Sequence, residues 1–135
     1  MTSMTYGRSK NRYLGDALAT ATPATLLVML YDRLLLDLQR AESAQREQDR
    51  ETAHTNLIHA QAIVQELQSS LDLDAWEGAA GLMSLYTWLL KELATANVDC
   101  DPERTARCRV DTVEPLAEAW REAALKGMAG TTGSA

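Results

Sequence analysis

Two histidines, two cysteines and a few closely spaced carboxylates are the side chains of this 135-residue chain whose type and spacing bear on chemistry. Glu51 and His54 have the Glu-x-x-His spacing with which a helical bundle holds a di-iron centre. Such a centre takes one such pair from each of two helices plus two further inward carboxylates. Only one pair occurs, and extending the seam of Leu57, Ala60 and Val64 backwards puts Ala53 inside and Glu51 outside. His54 and His59 are five apart and do not share a helix face. Zinc would need both to converge with Cys100 and Cys108, and no short Cys-x-x-Cys supports that. Asp72/Asp74 and Asp99/Asp101 stand at helix starts, where capping accounts for them. Gly78 and Gly81 lack the lysine and strand of a phosphate loop, and no serine sits in a nucleophile elbow. The expectation is a protein with no catalytic residue, no metal and no cofactor, and so not an enzyme.

The elements that would carry these side chains are helices. Leu and Ala supply 41 residues, while Ile and Val together supply seven and Phe none, which nearly excludes a β protein. The length suits one domain. Net charge is −6, but Arg8, Lys10 and Arg12 give residues 1–15 a charge of +3 and leave −9 on the remainder. An acidic body disfavours nucleic acid as a partner. Two cysteines, no signal-peptide core in the first 20 residues and Asp32, Arg33 and Asp37 inside the densest apolar run predict a cytoplasmic chain with no membrane insertion.

Local signals divide the chain. Residues 1–12 form a basic arm, expected to be disordered or loosely attached, and residues 13–126 form one helical domain. Residues 127–135 are expected to be a flexible tail. Tyr13, Leu14, Ala17 and Leu18 suffice for a short amphipathic helix. Thr22-Pro23 is an N-cap with proline at N1, opening a helix to about Gln45, and Asp49 is the next N-cap. Asp74 with Glu77 has capping-box spacing for a third helix carrying Leu82, Leu85, Tyr86, Leu89, Leu93 and Ala96, with Asn97 as C-cap; Gly78 and Gly81 weaken its first turns, which allows its regular part to begin later. Asp101-Pro102 opens a fourth with Ala106, Val110, Val113, Ala117, Trp120 and Ala124 inward. Pro115 lies inside it and demands either a kink or a restart. The architecture predicted is all-α: an antiparallel up-down four-helix bundle with a short N-terminal helix.

Two helices carry more apolar surface than one buried stripe needs. The ten apolar side chains between Leu26 and Leu38 scatter round the helix, with Val28, Met29, Leu35 and Leu36 on its flanks. In the third helix Met83, Trp88 and Leu90 spread beyond the inward face. Such residues face a partner, a second copy or a covering segment, unless splayed helices draw them into the core. These seven form a candidate groove for an amphipathic chain. The segment Tyr13–Leu18 is either an internal cover for that groove or a plain extension of the bundle.

The ordered set Tyr13-Leu14, Thr20-Ala21-Thr22-Pro23, Leu26-Leu27 and Met29-Leu30-Tyr31-Asp32 resembles the opening of the flagellar secretion chaperone family FliS. The resemblance continues through Ala60, Ile63-Val64, Glu66-Leu67, Ser70-Leu71-Asp72, Leu82, Leu85-Tyr86, Leu93, Ala96-Asn97 and Ala119-Trp120, over about residues 12–125. It implies a cytosolic export chaperone that holds the C-terminal segment of flagellin in hydrophobic grooves, prevents its premature polymerisation and hands it to the export-gate protein. It also implies that Tyr13 and Leu14, with Leu18 beside them, belong to an N-terminal cap that covers part of this surface when flagellin is absent. The tyrosines of Leu30-Tyr31-Asp32 and Leu85-Tyr86 match structural motifs. Thr25, Trp88 and Pro115 depart from the family pattern. A self-associating bundle, dimeric through the same apolar stripe, is the alternative.

Overall fold

The computed structural model describes residues 23–133, with side chains through 127; the arm and the segment Tyr13–Leu18 lie outside the described residues. Helix α1 spans Pro23–Arg46, α2 Arg50–Ser70 and α3 Ala79–Val98. The fourth rod is continuous but of three parts: α4 over Pro102–Arg107, a π-helical turn over Cys108–Val113, and α5 over Glu114–Gly133. Helix α1 packs along α2 on one side and along the fourth rod on the other, while α3 packs on α2, α4 and the π turn. This is an antiparallel helical bundle in which α1 and α3 face each other diagonally.

Two of the three connections are built alike. Gln48 and Cys100 adopt left-handed backbone (φ 61° and 49°), which costs a non-glycine residue about 1 kcal/mol. Each is followed by an aspartate whose N–H closes the preceding helix, Asp49 on the Ala44 carbonyl at 2.8 Å and Asp101 on that of Ala96 at 3.0 Å. The same aspartate then caps the next helix, Asp49 accepting from the Thr52 N–H at 3.2 Å and Asp101 from that of Arg104 at 3.1 Å. Helix α3 accordingly runs past Asn97 to Val98, with Asp99 as its C-cap.

The third connection departs from expectation. Asp74 does not open a helix. The Asp72 carboxylate takes the Asp74 N–H at 2.9 Å and the Asp72 carbonyl takes the Ala75 N–H at 3.1 Å, a local turn that competes with helix. The Trp76 ring then lies across Gly78, where any Cβ would run into it, and regular helix begins only at Ala79.

The core is one cluster, with Tyr31, Leu34, Leu38 and Ala41 meeting Leu57, Ala60, Val64 and Leu67, then Tyr86, Leu89 and Leu93, and Cys108, Val113 and Ala117. The fourth rod corrects the expected seam. Thr105 and Cys108 are buried, whereas Ala106 is half-buried and Val110 exposed. Pro115 has no N–H to give Asp111 and its ring crowds that carbonyl. The chain responds one turn earlier with a wider loop, the Glu114 N–H reaching the Arg109 carbonyl five residues back. The inserted residue rotates everything before it, so the buried spacing from Cys108 to Val113 is five. At the far end, helix continues through Gly133 where a tail from Gly127 was expected. Among the described residues no helix is long and apolar enough to cross a membrane.

Candidate functional site

The antiparallel layout sorts the side chains into two ends. At one end α1 starts, α2 finishes, α3 starts and α5 finishes; at the other lie the Gln48 and Cys100 turns. Contacts at successive levels fix this alignment. Gln68 of α2 donates to the Thr87 hydroxyl of α3 at 3.1 Å, and Arg121 of α5 pairs with Asp32 of α1 at 2.7 Å. The Tyr31 and Tyr86 hydroxyls meet across the core at 2.6 Å. Burial, then their mutual hydrogen bond, pushes the Tyr31 phenol far above its ordinary pKa, opposed by the Trp120 side chain. Burial also raises Tyr86, against the pull of its bond to Tyr31. Both tyrosines are structural at physiological pH and tie α1 to α3.

The end where α1 starts is apolar and incompletely closed. Five consecutive large apolar residues, Leu26 to Leu30, are all half-buried and none is fully buried. Across from them Leu82, Met83 and Leu85 are half-buried, and Leu73, Trp76 and Leu125 are 54%, 51% and 62% exposed. Helix geometry places the seven candidate residues on separate faces. On α1, Val28 and Leu35 share the flank of Asp32 that leans to α5, and Leu35 packs on the core. Met29 and Leu36 lie on the opposite flank beside α2, where Leu36 borders a groove of about 340 Å³ with Gln39, Arg40, Thr52 and Asn56. On α3, Met83 and Leu90 are half-buried on the flank toward α2, Leu90 packing on the core, while Trp88 points outward with 46% exposed. The structure therefore brings them together pairwise, along the edges of α1 and of α3, and not into one trough. Tyr13, Leu14 and Leu18 lie outside the described residues.

Sequence reasoning missed Leu73 and Trp76, because it looked for surplus apolar side chains along the helices and not in the connection between them. The signal was present in Gly78 and Gly81.

The titratable groups serve the scaffold. Glu51 is exposed, and His54 Nδ1 accepts from the Asn97 amide at 2.9 Å. His59 Nδ1 meets the buried Asp37 carboxylate, which also takes Arg33 Nε at 3.1 Å. Among the described residues no three His, Cys, Asp or Glu side chains are grouped so as to hold a metal ion. Burial pushes the Cys108 thiol up to about 11, too high for a thiolate at neutral pH. At the polar end Gln45, 4% exposed, donates to the Ala96 carbonyl at 3.0 Å and accepts from the Thr105 hydroxyl at 2.7 Å. Arg109 bridges Glu42 and Glu114 at 2.9 Å each, and Arg46 bridges Glu42 and Glu103. Burial alone would raise the Glu42 carboxyl, but hydrogen bonds from Arg109 and Arg46 outweigh it and hold it below the usual range.

What these features define is a helical bundle with a hydrogen-bonded polar end and an incompletely closed apolar end. The chain belongs to the flagellar protein FliS family, whose model matches residues 6–127. It is 32% identical over 111 residues to the flagellar secretion chaperone FliS of Bacillus subtilis (strain 168), covering 82% of each chain. It is likewise 32% identical over 113 residues to that of Campylobacter jejuni subsp. jejuni serotype O:6, covering 83% of this chain and 88% of the relative. A crystal structure of a bacterial flagellar chaperone superposes with a TM-score of 0.71 at 19% identity, over 88% of this chain and 97% of that one, and shares the fold. The family is one of chaperones for flagellum biogenesis and not of enzymes.

Proposed function

We propose that this protein is the cytosolic export chaperone for flagellin, that it binds the C-terminal segment of flagellin and that it delivers it to the export-gate protein. The observation that carries the reading is the row Leu26 to Leu30, five large apolar side chains in succession with none fully buried. Residues that pack filament subunits together must be apolar, and before export they need cover. Burying them on a bundle lowers the free concentration of the associating species by mass action, without ATP or a covalent step. Val28, Met29, Leu35, Leu36, Met83, Trp88 and Leu90 lie along several edges, so the client must wrap, part helical and part extended. Ordering such a segment is costly, and a long contact offsets it. In the free state Tyr13, Leu14 and Leu18 cover part of the same surface, which lowers apparent affinity and limits self-association.

Titration calorimetry of the full chain against the C-terminal flagellin segment from the same organism tests this. The expected result is saturable one-to-one binding with a negative heat-capacity change. Trp88→Asp and Met29→Asp each weaken it at least tenfold with unchanged helicity. Wild-type affinity in both variants removes the surface assignment. Absence of binding together with a concentration-dependent mass by sedimentation favours the self-associating bundle instead.

A further inference from the structure

Between Arg50 and Lys91 the chain has no lysine or arginine, while Glu51, Glu66, Asp72, Asp74 and Glu77 are all acidic. The connection from α2 to α3 sits in the middle of this stretch. It presents Leu73 and Trp76, each half exposed, and Asp72, Asp74 and Glu77 around them are exposed. None of these three carboxylates has an ion pair among the described residues. This contrasts with Glu42, Glu92, Glu103 and Glu114, each of which has an arginine. An apolar pair rimmed by unneutralised acids, on a connection with no cation of its own, fits a partner that is both aromatic and basic.

The chain carries such a segment. Residues 6–12 read Tyr-Gly-Arg-Ser-Lys-Asn-Arg, with three cations and no acid. Helix α1 starts at Pro23, at the same end of the bundle as the α2–α3 connection. Ten residues lie between Arg12 and Pro23, and the eleven extended steps from one to the other span about 36 Å. Neighbouring helices are about 10 Å apart, so the arm reaches the connection with length to spare. We propose that the Leu73–Trp76 surface is the docking place of the chain's own basic arm, with a guanidinium of Arg8 or Arg12 over the Trp76 ring and the other cations on Asp74 and Glu77. Tethering gives the arm an effective concentration in the millimolar range, so a weak contact is populated. A second copy fits worse, because a two-fold contact through this patch sets carboxylates against carboxylates. The docking itself does not depend on the client.

The test uses the full-length protein labelled with 15N. In R8E/K10E/R12E the amide signals of Leu71 to Gly78 shift, and 0.5 M NaCl moves the wild-type signals in the same direction. Adding D74K/E77K to that variant returns the shifts of the flanking residues toward wild type; Asp72 is left intact because its carboxylate builds the turn. Unchanged loop signals in R8E/K10E/R12E overturn the proposal, as does failure of the charge swap to restore them. Shifts confined to the flanks of α1 and α3 place the arm elsewhere. Shifts that scale with protein concentration make the occupant a second copy. Client affinity is measured in parallel, so loss of the docking contact and loss of flagellin binding are read separately.

Discussion

The two ends of the bundle are built on opposite principles. At the polar end both turns reuse one aspartate to finish one helix and cap the next, Gln45 and Thr105 are buried with their hydrogen bonds made, and arginines clasp Glu42, Glu92 and Glu103. At the apolar end Leu26 to Leu30 remain half-buried, and Asp72, Asp74 and Glu77 lack cations among the described residues. A buried polar group is costly unless its partner is in place, so the polar end tolerates one arrangement of helices. Dispersion and hydrophobic contact are non-directional, so the apolar end can exchange one covering for another. Helix register is held at one end and surface is offered at the other.

Truncating a leucine at each end gives the largest separation. Leu38 is fully buried, and Leu38→Ala should lose about 2–5 kcal/mol of unfolding free energy by urea denaturation. Leu26 is only half-buried, and Leu26→Ala should lose about 1 kcal/mol or less while weakening client binding. Equal losses would mean that the apolar end is core and not surface. The next effect is at Thr105. Replacing it with valine leaves the Gln45 carbonyl oxygen buried without a donor, a cost of about 1–3 kcal/mol. Gln45→Leu added to Thr105→Val should recover part of that loss, because an apolar pair has nothing left to satisfy. Simple additivity in that cycle would deny that the polar end works as a unit.

The sequence made these two ends unequally legible. Caps are local, and Pro23, Asp49 and Asp101 announce three helix starts by residue type alone. The Asp74 start was misread because Asp72 bonds the backbone first and Trp76 lies over Gly78, a contact that no propensity encodes. The seam of the last rod failed for a different reason. Pro115 told that something must give, but not that a π turn one step earlier would absorb it and exchange Ala106 and Val110 for Thr105 and Cys108. The apolar surplus of α1 and α3 was visible as a count of side chains. Its division among edges was not, since diagonal placement of these helices is a property of the whole bundle.

The smallest effect concerns acid, and it sharpens the contrast further. Hydrogen bonds from Arg109 and Arg46 hold the Glu42 carboxyl below its ordinary 4.5, against the opposing effect of burial. A group whose folded pKa is depressed contributes stability above its unfolded pKa and loses it as pH falls through the folded one. Glu42 therefore adds nothing to the pH dependence between pH 6 and 8. Its contribution should fade below about pH 4.5, on the order of 1 kcal/mol or less for a partly exposed pair. Glu42→Gln should lower the midpoint of thermal unfolding slightly at pH 7 and by progressively less as pH falls below about 4.5, narrowing the gap between neutral and acid pH. The same substitution should leave client affinity untouched, because the Glu42 cluster sits on the α4 side, away from Trp88 and Met29. A pH-independent loss would assign Glu42 a packing role, and a loss of client affinity would carry the binding surface across into the polar end.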